Sequence, residues 1–82
     1  MKYLILVRGA AWDAALATEM IEAGVHVAAE GLTGPELARG ALASPPVTGF
    51  YLIDCPSADE AARWATAGAE LRPVLQAGGQ EF

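Results

Sequence analysis

The chain is short of the residues on which most recognisable chemistry rests. It holds one cysteine, Cys55, and one histidine, His26, in 82 residues. A single cysteine excludes an intrachain disulfide, favours a reducing compartment, and reads as a small buried hydrophobe. One Cys and one His cannot build a structural zinc site, so no metal and no cofactor is expected. Cations are equally scarce: five Lys and Arg stand against ten Asp and Glu, for a net charge of −5. Nucleic-acid binding draws on cations that neutralise phosphate, and anionic membrane surfaces ask for the same, so neither partner is expected. The longest purely apolar run, Tyr3-Leu4-Ile5-Leu6-Val7, is far too short for a signal-peptide core or a membrane span. A cytoplasmic protein is the simplest expectation. The glycines lack the Lys-Ser or Lys-Thr that completes a phosphate loop.

What the chain does have is apolar bulk, at 54% of residues, although eighteen of these are alanine. A domain this small buries only about 60–65% of its unfolded surface, which makes self-association a natural way to complete the core. One domain is expected over 1–76, with 77–82 as a fraying tail.

The apolar run ending at Arg8-Gly9 predicts a strand buried on both faces. Residues 11–23 lack Gly and Pro, and Trp12, Leu16, Met20 and Ala23 form one apolar stripe of a helix, with Gly24 as its left-handed cap. Residues 25–30 alternate with period two, which sets Val25, Val27 and Ala29 on one face and His26, Ala28 and Glu30 on the other. Residues 31–48 form a connection rich in Gly and Pro, with one helical turn expected near 35–42. Residues 48–55 are the clearest strand. Pro56 ends it, and Ser57 with Glu60 makes a capping box for a helix over 57–67 that places Ala61, Trp64 and Ala65 on one face. Residues 70–75 close the pattern as a strand. The order β-α-β-β-α-β predicts an α+β, ferredoxin-like sandwich: an antiparallel sheet with two helices on one face. The two most apolar strands, the first and third, are the central ones in that topology, and the charged, Pro-bearing second and fourth are its edges.

Both helices would then cover one side of the sheet. The first strand is apolar throughout, so its other face also needs a shield, and a second copy is the simplest source. A homodimer through the helix-free sheet face is expected, enclosing a barrel-like chamber.

Several blocks resemble the YCII-related family, in particular its DGPF-domain branch. They are Met1-Lys2-Tyr3 opening the strand, Ala23-Gly24-Val25 leading to Glu30-Gly31-Leu32, and Gly49-Phe50-Tyr51-Leu52-Ile53-Asp54. Ala58-Asp59-Glu60-Ala61 with Trp64-Ala65, and Glu70-Leu71-Arg72-Pro73, continue the match over about two-thirds of the chain. The resemblance implies a dimeric α/β barrel. Residues 33–48 replace the family's hairpin, and the Asp-Gly-Pro-Phe signature does not occur. Asp13 holds the place of the histidine in the proposed catalytic His-Asp pair, so no family catalytic residue carries over. The fold it implies does not dictate a reaction.

Read from the residues themselves, His26 and Glu30 share a strand face and would point into the chamber, where a histidine beside a carboxylate can act as a base. The commoner case is an edge-strand histidine with no task. Arg72 offers forked donors to a carboxylate ligand, or pairs ordinarily with Glu70. Tyr51 and Asp54 have opposite parity, so only one can face the chamber, Tyr51 as a hydroxyl donor or Asp54 as a turn acceptor. Trp12 and Trp64 are expected to pack onto the sheet rather than stack on a ligand. Cys55 has no basic neighbour to activate it. The expected function is that of a small homodimer that binds a small organic molecule or a partner protein, and whether it is an enzyme stays open. The alternative is an isomerase or lyase using His26 with Glu30 or Arg72.

Overall fold

The computed structural model describes residues 1–33, 46–66 and 69–75. Six elements follow in the order β1 (Lys2–Arg8), α1 (Ala14–Glu22), β2 (His26–Gly31), β3 (Val47–Asp54), α2 (Ala58–Trp64) and β4 (Ala69–Pro73). The strands form one sheet in the order β2-β3-β1-β4, with every neighbouring pair antiparallel. This is an α+β fold of four antiparallel strands and two helices. The two most apolar strands occupy the centre, and the charged strands lie at the edges. The helical turn expected near 35–42 and the tail 77–82 lie outside the described residues.

Local chemistry explains the helix ends. Asp13 adopts an extended backbone (φ −117°, ψ 111°), and its carboxylate accepts from the Ala15 amide at 2.8 Å, starting α1 at Ala14. Trp12 therefore precedes the helix instead of joining its apolar stripe. At the other end Gly24 takes φ +77°. Its amide donates to Ile21 and the Val25 amide to Met20, both at 3.1 Å, which satisfies carbonyls left open at the end of the helix. Ser57 accepts from the Glu60 amide at 3.3 Å and starts α2, with Asp59 and Glu60 in the first turn, where acidic groups favour the helix dipole.

The alternation of β1 divides the apolar run between two surfaces. Tyr3, Ile5 and Val7 are buried, together with Tyr51, Ile53 and Cys55. Met20 of α1 and Ala61 of α2 join the same cluster, so both helices cover the same face. Leu4 and Leu6 alternate with these residues and are partly exposed on the other face of the isolated chain. Among the described residues, no helix is long and apolar enough to cross a membrane.

Candidate functional site

The helix-free face is the surface this fold leaves unfinished. Leu4 lies opposite Leu52 and Leu6 opposite Phe50, making an apolar centre on the two inner strands. Charges surround it. Glu70 of β4 lies opposite Leu6, and Arg72 lies opposite Leu4. The Glu70 carboxylate accepts from Arg72 at 2.6 Å and from Arg8 at 3.2 Å, joining three side chains from β1 and β4. These hydrogen bonds, the one from Arg72 foremost, hold the Glu70 carboxyl below its ordinary range. Lys2 lies opposite Asp54 at one end, and exposed Glu30 lies opposite Phe50 on the far edge.

The side-chain charges on this face are balanced, with Lys2, Arg8 and Arg72 set against Glu30, Asp54 and Glu70, and the Met1 amino group adds a cation beside Asp54. The remaining described charges lie on the helices or their caps: Arg63 against Asp13, Glu19, Glu22, Asp59 and Glu60. The negative charge of the described chain is thus concentrated on the helical side.

The structure separates the expected site residues. His26 lies opposite Ile53, whose side chain is in the helix-side core, while Ala28 and Glu30 lie opposite Leu52 and Phe50. The register shifts between His26 and Ala28, leaving Val27 as an extra residue. A bulge of this kind interrupts period two, so the parity that joined His26 to Glu30 does not hold across it. Val27 is 42% exposed rather than packed under the helices, whereas Val25 and Ala29 do pack against the core. His26 and Glu30 make no hydrogen bond or ion pair with each other.

Tyr51 also faces the other way. It is 1% exposed within the helix-side core. Its hydroxyl donates to the Asp13 carbonyl and accepts from the Asp13 amide, both at 2.9 Å. Burial pushes the phenol pKa up. The expectation of a Tyr51 hydroxyl in the chamber is therefore corrected: its ring lies beneath the sheet, with its polar end tied to the start of α1. Of the two residues with opposite parity, Asp54 is the one on the helix-free side. It is exposed and accepts from the Met1 amino group at 2.9 Å. Arg72 takes the ordinary pairing with Glu70.

Trp12 packs on the sheet. Its indole N–H donates to the Phe50 carbonyl at 3.1 Å, and its ring stacks on Tyr51 with centroids 5.7 Å apart. Trp64 lines a cleft of about 410 Å³ beside α2, together with Ala23, Val25, Glu60 and Arg63. Cys55 is buried, and burial, followed by the charges of Glu60 and Asp54, raises its thiol pKa.

Arg8 is the residue of the helix-free face that pattern reading passed over, because it served only as the end of an apolar run. Its parity with Lys2, Leu4 and Leu6 was the available signal. No family model, curated protein or solved structure matches the chain.

Proposed function

We propose that the chain is a small cytoplasmic homodimer of the YCII-like type, a ferredoxin-like domain completed as a dimeric α/β barrel. In this reading it binds a small organic molecule or a partner protein between two sheets, with no catalytic activity assigned to it. The carrying observation is the helix-free face itself, whose apolar centre of Leu4, Leu6, Phe50 and Leu52 sits within a ring of side chains of both charges. A net charge of −5 opposes self-association in general. This face is where a second copy can approach without that opposition, and burying its leucines supplies the driving force. The strand order β2-β3-β1-β4 supports the ferredoxin-like reading. The isomerase or lyase alternative loses its main support, because a bulge divides His26 from Glu30 and the Tyr51 hydroxyl is committed to Asp13.

Sedimentation velocity at micromolar concentration tests the dimer. A species of about twice the 8.5 kDa chain mass is expected, and a monomer would overturn the reading. A thermal-shift screen of small carboxylates and aromatics, run on wild type, His26→Ala and Arg72→Ala, tests the chamber. Stabilisation that falls away in Arg72→Ala is expected, while equal stabilisation of all three variants would place the ligand elsewhere.

A further inference from the structure

The side-chain charges of the helix-free face sum to zero but are polarised from edge to edge. The β4 side carries the Arg8–Glu70–Arg72 cluster, two cations joined to one anion, with an excess of one positive charge. The β2 edge carries Glu30, which is exposed and whose carboxylate makes no hydrogen bond or ion pair with another described residue. Two sheets packed face to face in a symmetric pair are related by a twofold axis lying between them. An axis across the strands sets β4 over β4 and β2 over β2, so edges with the same sign of net charge meet. An axis along the strands sets the β2 edge of each copy over the β4 edge of the other, and opposite charges meet twice.

Resting on the proposed homodimer, we infer that the second copy docks about the axis along the strands, so that Glu30 of each chain, which shares a rung with Phe50, Leu6 and Glu70, comes level with Glu70 of the other and lies between the Arg8 and Arg72 guanidinium groups that flank it, each arginine then bridging two carboxylates. The apolar centres of the two faces then stack over each other, since Leu4, Leu6, Phe50 and Leu52 all lie on the inner strands β1 and β3. Each cluster gains the one anion that completes it. The pairing also orients the interface, because apolar contact between leucines and phenylalanines sets no direction while charge complementarity fixes register.

A charge-swap cycle tests the arrangement through the dimer dissociation constant, measured by sedimentation equilibrium. Glu30→Arg alone and Arg72→Glu alone should each weaken the dimer about tenfold, since each places like charges together. The double variant carrying both changes restores opposite charges and should return to within about threefold of wild type. Circular dichroism confirms that each variant is folded, and Arg8→Glu with Glu30→Arg serves as a second cycle if Arg72→Glu is not. A dimeric wild type whose single variants associate unchanged, or whose double variant is no better than the two single losses combined, overturns the axis and leaves the dimer standing. A monomeric wild type overturns both.

Discussion

The Tyr51 hydroxyl bridges both backbone polar groups of Asp13, accepting from its amide and donating to its carbonyl at 2.9 Å each. One buried side chain on β3 thus fixes the residue that caps α1, thirty-eight positions earlier. Tyr51→Phe keeps the ring stack on Trp12 but removes both bonds. The expected loss is about 1–3 kcal/mol, measured as a shift of the urea midpoint, with no change in self-association. An unchanged midpoint would show that water replaces the hydroxyl at no cost.

Two glycines accept the face of Trp12. A Cβ on Gly49 would collide with the indole ring and come within 2.8 Å of the Glu30 carbonyl. A Cβ on Gly31 would meet the indole at 3.0 Å, a contact that a small ring shift relieves. Gly49→Ala should cost about 1–3 kcal/mol and Gly31→Ala distinctly less, in the manner of overpacked sites. Thermal denaturation followed by tryptophan fluorescence orders the two, and equal losses would contradict the geometry.

Adjacent residues of β1 should respond oppositely to the same substitution. Ile5 is 0% exposed in the core, so Ile5→Asp buries an unpaired charge at a cost of several kcal/mol, out of roughly 5–15 kcal/mol of total domain stability. Leu4 lies on the helix-free face. Leu4→Asp should remain folded by circular dichroism but sediment as a monomer. A dimeric Leu4→Asp variant would place the interface elsewhere.

Acid should weaken the β1–β4 edge through Glu70. Its carboxyl is held below the ordinary glutamate value by Arg72 first and then Arg8. A depressed folded-state pKa contributes stability above the unfolded value, roughly pH 4.3. That contribution is lost as pH falls through the folded value. Wild type should therefore be more stable than Glu70→Gln at neutral pH, with the difference shrinking once pH drops below about 4.3. A difference that stays constant down to acid pH would argue against the pairing.

Cys55 should resist thiol reagents in the native state. It is 1% exposed, and its thiol is biased towards the protonated, unreactive form. Labelling at neutral pH should be slow in buffer and rapid in urea, tracking unfolding. Fast native labelling would mean that the strand end opens locally.

Much of the architecture was legible because it is written in short range. The cap at Gly24 needs one residue free to take a positive φ, and the start of α2 needs a Ser three residues before a Glu. Apolar density marked β1 and β3 as central before any pairing was known. The site was less legible. Alternation divides Leu4 from Ile5, and Tyr51 from Asp54, into two sets without saying which set lies beneath the helices.

The sequence by itself determined the order of elements, the caps that bound the helices, the two inner strands and the shortage of cations. These depend on residue type and on spacings of a few positions. Tertiary structure alone decided that Tyr51 points into the core, that Trp12 lies flat on Gly31 and Gly49, and that Arg8 meets Glu70 across 62 positions. It also decided the fate of His26. One extra residue at Val27 shifts its register against β3, and a bulge changes the face of every side chain beyond it while leaving the local alternation of residue types untouched.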